Sequence, residues 1–288
     1  MTTVRMDETI NWEHRRRRWT RAAGLVVGGA VILVLLLFPL YWVIVASFQN
    51  LGTLFAAPPS LLPLHVIFTN YKNSFGSIIG NIGVSVIISL SVVCLTWLIA
   101  VPAGHAVARL GGWLSQAVVL VMLITQMIPG ISLALAFYQL FHRWGLLGSY
   151  LGLILADTTY GVPFAILVLR AFMASIPGEL YEAAALDGAG GGRAFLRITL
   201  PLAGPAIATV GVFTFLFAWG DFVNALTLNG GGGAQPLTLG LYKFVSEHET
   251  DIGAIFAATT VAAVPTTILL FIAQRWIRGG IKAGALKG

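Results

Sequence analysis

The chain has 288 residues, of which 57% are hydrophobic and only 10% charged, and its formal net charge is +6. Soluble domains carry about 25% charged residues, so this composition excludes an ordinary soluble protein. The single cysteine, Cys94, excludes an intrachain disulfide and, inside an apolar stretch, reads as packing against lipid or core.

Residues 1–21 are polar and basic, with Arg15 to Arg18 in a row, and Ala22 to Ala46 carries no charge at all. Crossing hydrocarbon takes about 20 apolar helical residues, whereas the apolar region of a signal peptide runs to about 7–15. The run therefore predicts an uncleaved first span. Further apolar stretches predict spans at 78–101, 114–140, 149–171, 205–226 and 252–274, after a first span at 22–46. The alternating short segments of a membrane barrel do not occur. The expected fold is an all-α membrane protein with six transmembrane helices, a membrane domain over 22–274 and a tail over 275–288. Pro39, Pro129, Pro163 and Pro265 fall inside spans, where membrane helices tolerate them as kinks.

Of the 17 lysines and arginines, only Lys72, Arg143 and Lys243 lie on one side of this topology. The positive-inside rule then places both termini in the cytoplasm. Arg15 to Arg18 face anionic lipid there, so the positive charge speaks for topology and not for nucleic acid. On the outer side, segment 47–77 holds "AAPPSLLPLH", whose prolines favour an extended path. Segment 227–251 holds Gly230 to Gly233.

One polar segment interrupts the apolar chain between spans 4 and 5. Pro177 suits a first helical turn, and Glu179 and Glu182 suit a helix N-terminus. Ala183 to Leu186 favour helix, and Asp187-Gly188 is a stop signal with Gly188 in the left-handed conformation. A second short helix is expected from about Gly192 to Thr199, with Arg193 and Arg197 on one face. Leu200-Pro201 is expected to end it and turn the chain back into the membrane. The product is a cytoplasmic helix–turn–helix knob.

Within the spans lie two acids, Asp157 and Asp221. Intramembrane ionisable groups mark functional sites. Asp221 stands in "FAWGDFVNAL" with Trp219 and Asn224, an aromatic, amide and carboxylate set suited to hydroxyl-rich ligands. It reads equally as a structural bond to another helix. Gln126, beside Pro129-Gly130, is a further candidate for a polar path. No Gly-Lys-Ser/Thr phosphate loop occurs, so this chain does not hold ATP. His, Asp and Glu do not cluster at ligand spacing, so no metal site is expected. That spacing also speaks against a membrane-embedded enzyme built on Asp157 and Asp221. A secondary transporter working alone lacks the expected charge relay and inverted repeats.

The pattern Glu182-Ala183-Ala184, Gly188, Ile198, Leu200-Pro201 resembles the signature cytoplasmic loop of bacterial ABC-importer permeases. "FPLYWVIVASF" (38–48), "FAAPPSLLPLHVIFTNYKNSF" (55–75), "FAWGDFVNAL" (217–226) and the ending "GGIKAGALKG" are similar to the maltose-type carbohydrate permeases. The resemblance implies an inner-membrane permease that pairs with a second permease, two ATPase subunits and an extracytoplasmic solute-binding protein. Its cargo would be a di- or oligosaccharide, with a polyol or glycerophosphate-type solute as the alternative. ATP and Mg would belong to the ATPase, leaving this chain non-catalytic and without a cofactor. Residues 176–204 would form the coupling loop, with Glu182, Ala183, Ala184, Asp187, Gly188, Arg193, Ile198, Leu200 and Pro201 in ATPase coupling. Trp219, Asp221, Asn224 and Gln126 would be candidates for the translocation path. Gly230, Gly231, Gly232 and Gly233 would reach the binding protein or serve as a flexible linker. The tail, with Arg275, Arg278, Lys282 and Lys287, would insert between ATPase subunits or anchor the chain by charge. Gly191-Gly192 departs from the family's bulkier residues, so a later or looser second helix is expected. His105 stands where a tyrosine is common and reads as interfacial packing.

Overall fold

A computed structural model describes residues 4–58, 60–63, 65–229, 231–247 and 251–285, with side chains from Gly24 to Ile272. Helices account for most of it, and no strand occurs among the described residues. Four helices are long and apolar enough to cross a membrane, or six crossings if each of two sharply bent helix pairs counts as one. The chain divides into two units, residues 1–72 with 251–260 and residues 73–250 with 261–288.

The first unit is built on α1 (Val4–Ser47), with α2 (Leu51–Leu54) and the start of α3 (Thr69–Arg109). Its polar atoms gather where α1 ends. Ser47 shares a hydrogen bond with the Tyr71 hydroxyl at 2.7 Å, and the Asn70 amide donates to the carbonyls of Ser47 and Gln49. Gln49 donates to the Ser60 and Leu62 carbonyls, tethering the proline-rich stretch. The apolar run of α1 is largely exposed, as a helix solvated by lipid or by another chain must be.

The second unit holds α4 (Gly112–Gln126), α5 (Gly130–Trp144), α6 (Tyr150–Ala174), α7 (Glu179–Leu186) and α8 (Gly191–Ala194). After a π-helical turn at Phe195–Thr199 come α9 (Leu200–Leu202), α10 (Gly204–Gly220), α11 (Val223–Leu228) and α12 (Leu237–Glu247). Helix α13 (Ile252–Ala285) closes the chain. An apolar core of Ala100, Val107, Ala165, Leu169, Met173 and Val210 joins α3, α6 and α10 near the knob. A second, with Ile88, Val92, Phe141, Leu153 and Leu228, joins the middle of α3 to the C-terminal ends of α5 and α11 and the N-terminal end of α6.

Several expectations need correction. The proposed third span is two helices, α4 and α5, meeting at 88° around Met127–Pro129. Helix is continuous through the positions of Pro39, Pro163 and Pro265. At Pro129 the helix does break, and the Tyr160 hydroxyl donates to the Gly130 carbonyl at 3.0 Å beside the bend. The fifth span ends at Gly220 and not at 226, and α12 occupies what reads as an outer loop. Helices α1 and α3 extend well beyond the apolar runs that predicted them.

Candidate functional site

The polar segment folds as a projecting knob. Helix α7 ends in a left-handed cap: Gly188 has φ +76°, its N–H donates to the Ala185 carbonyl, and Ala189 N–H donates to Ala184. Those two bonds satisfy carbonyls that the helix end would otherwise orphan. Glu182, Ala183, Asp187 and Gly188 are exposed and Ala184 is half-buried. Leu186 at the tip is 90% exposed, an apolar side chain offered to a partner.

The second half of the knob differs from a plain helix. It begins at Gly191, before the expected Gly192, and widens into the π turn at Phe195. Pro201 does not end it. Helix continues to Leu202, and the chain turns by 69° at Ala203 before α10. Arg193, Leu200 and Pro201 are exposed, Ile198 is half-buried and Thr199 is fully buried.

The knob is fastened beneath by His105 and by Tyr181, Arg109, Phe195 and Thr199, which motif reading passed over. The Tyr181 hydroxyl shares a hydrogen bond with Thr199 Oγ1 at 2.7 Å, and the Arg109 guanidinium lies 3.2 Å from the Tyr181 ring centroid. His105 packs 4.9 Å from the Phe195 ring and 6.3 Å from the Tyr181 ring, as interfacial packing predicts. Tyr181 is the one aromatic of α7, and that contrast is the signal the sequence offered.

Toward the other end of α6, the path candidates separate. Asp157 and Asn224, each 2% exposed, join through Asn224 Nδ2 donating to Asp157 Oδ1 at 3.0 Å. The half-buried Asp221 accepts from the N–H groups of Asn224 and Ala225, capping α11. Trp219 is buried and stacked on Phe215. Gln126 is exposed at the α4–α5 break and lines a cleft of about 220 Å³ with Tyr160, Phe164, Phe213, Thr214 and Phe217. Tyr160 pairs with Phe217 and Phe164 with Phe213. Both helices contribute aromatics four residues apart, which puts each pair on one face, a spacing visible in the sequence.

The glycine-rich segment is pinned in place. Gly148 N–H donates to the Leu228 carbonyl, and Ala234 N–H returns to the Gly148 carbonyl. Gly148 (φ +67°) and Gly232 approach so closely that a Cβ on either would overlap the other's backbone. Gly231 and Gly233 are exposed. Gly230 and Lys287 lie outside the described residues, as do the side chains of Arg275, Arg278 and Lys282.

The second unit thus combines membrane helices, one broken span and an exposed helical knob. Residues 98–282 match the family described as the binding-protein-dependent transport system inner membrane component, and the chain belongs to that family. It is 35% identical over 262 residues to a diacetylchitobiose uptake system permease protein of Streptomyces coelicolor, covering 88% of this chain and 85% of that protein. It is 33% identical over 282 residues to a trehalose transport system permease protein of Mycobacterium tuberculosis, covering 95% and 98%. The fold superposes on a chain of a bacterial ABC transporter involved in alginate import with a TM-score of 0.71, at 17% identity, covering 90% and 96%. The chain is thus a membrane-embedded permease subunit of an ABC importer, and ATP hydrolysis is the work of separate subunits.

Proposed function

We propose that this chain forms one membrane half of an importer for a di- or oligosaccharide delivered by an extracytoplasmic binding protein. A second, different permease supplies the other half. Two ATPase subunits, which hold the ATP and Mg, dock on the knob. The knob and both termini face the cytoplasm, where most of the lysines and arginines lie. The observation that carries this reading is the exposed knob itself, capped at Gly188 and offering Leu186, Ala183 and Glu182. ATP-driven closure of the ATPase pair displaces the knob, and the spans shift between outward and inward access because ATP favours one state over the other.

The sugar reading is supported by the cleft and by the relatives, whose names carry diacetylchitobiose and trehalose. Aromatic faces and an amide suit a sugar ring. Irregular backbone at membrane depth is tolerated only when it is covered by protein or lines a water-filled cavity. In this reading α4 enters from the cytoplasmic face, and its 15 residues, a rise of about 22 Å, set the exposed break at 126–130 inside a hydrocarbon layer of about 30 Å. In this reading Gln126 and Asp221 face the path, while Trp219 and Asn224 hold its wall from behind. The outer loop at Gly231–Gly233 meets the binding protein.

The test is reconstitution with the second permease, the ATPase and the binding protein from neighbouring reading frames, followed by uptake of labelled disaccharides. ATP-dependent uptake that requires the binding protein is expected. Gly188→Pro should abolish it while the complex still assembles. Accumulation of a polyol or glycerophosphate instead would transfer the reading to that solute, and normal uptake by Gly188→Pro would overturn docking through the knob.

A further inference from the structure

Helix α7 has no buried residue. Of its two half-buried residues, Ala184 offers only a methyl group, and the side-chain links to the membrane helices run through Tyr181. Its ring meets the end of α3 through Arg109 above it and His105 beside it. Its hydroxyl meets the π turn at Thr199. The same turn begins at Phe195, which packs on His105. Both ends of the widened turn are therefore held by α3 and α7 together. A π turn is a rare and strained form that recurs at functional sites, and here it stands directly before the 69° turn into α10.

We infer that Tyr181 is a positioning residue for energy coupling: it locks α7, the end of α3 and the π turn into one body, so that displacement of α7 is delivered to α3 and α10 at the same moment. This rests on the importer reading above. Without the lock, the chain between Gly188 and Gly191 would be the main link from α7 to α10, and glycines transmit displacement poorly because their backbone is permissive. The cation over the ring and the hydroxyl bond act on different faces of the same side chain. Each is removable alone.

The experiment uses the assembled transporter in vesicles, with sugar uptake and ATP hydrolysis measured together. Tyr181→Phe removes only the bond to Thr199, Arg109→Gln removes only the cation, and Tyr181→Ala removes both contacts. Sugar moved per ATP hydrolysed should fall about fivefold or more in Tyr181→Ala and by less in each of the other two, with Arg109→Lys restoring the Arg109→Gln loss. ATPase subunits should stay bound in the Phe and Gln variants. Unchanged sugar per ATP in Tyr181→Phe and Arg109→Gln overturns the lock even if Tyr181→Ala fails to assemble, because Tyr181 is then only a packing residue. A wild-type complex that moves no sugar overturns the importer reading, and the lock falls with it.

Discussion

Asp157, Asn224 and Asp221 show how a polar group survives inside an apolar core. Asn224 carries two duties: its side chain donates to Asp157, and its backbone N–H donates to Asp221. Removing a donor from a buried pair costs about 1–3 kcal/mol, and losing a helix cap about 1 kcal/mol. Asn224→Ala should therefore lower the unfolding temperature in detergent by several degrees. Asp221→Ala should lower it less, and Asp221→Asn, which keeps one acceptor, least. Equal losses in the two Asp221 variants would show that charge and not capping is what α11 requires. The sequence presented Asp221 and Asn224 as one polar set. It gave no way to see that a residue of α6, 67 positions away in the chain, would be the partner of Asn224.

Helix stops written into local chemistry were legible, and helix bends set by neighbours were not. Asp187-Gly188 stops α7 because only the left-handed conformation closes its last carbonyls. Pro129 reads as one kink among several, and the Tyr160 hydroxyl that meets the Gly130 carbonyl at its 88° bend is remote in sequence. Helix α12 was hidden behind the glycine run, although Leu237, Gly240 and Phe244, all buried, have helical spacing. The π turn has no local signature and is held by contacts of Phe195 and Thr199. The glycine run reads equally as a flexible linker, yet Gly232 is locked against Gly148. Gly148→Ala should force the two segments apart, because it adds a Cβ both to a left-handed residue and to a backbone contact. Proteolysis between 228 and 235 should then accelerate relative to wild type. An unchanged cleavage rate would mean that the segment has slack to yield.

At the scale of the whole molecule, composition alone established a helical membrane protein, and charge placement proposed its orientation. What composition could not supply is which faces other proteins cover, since the relevant residues are as apolar as those facing lipid. The tail belongs to this scale. Its backbone continues α13 as helix to Ala285, and on the importer reading proposed above that helix reaches the ATPase subunits. Deleting residues 279–288 should lower sugar-stimulated ATP hydrolysis without loss of membrane insertion. An unchanged rate would leave the tail with charge anchoring alone.

The broken span also bears on how the cell must make this protein. A single chain released into the bilayer would present the exposed Gln126 amide beside the bend to acyl chains, which cannot hydrogen-bond to it. On the importer reading proposed above, the second permease covers that face, and a chain without it is a natural client for membrane quality control. Matched synthesis of the two halves follows from that reading, and an excess of this subunit would be expected to be short-lived.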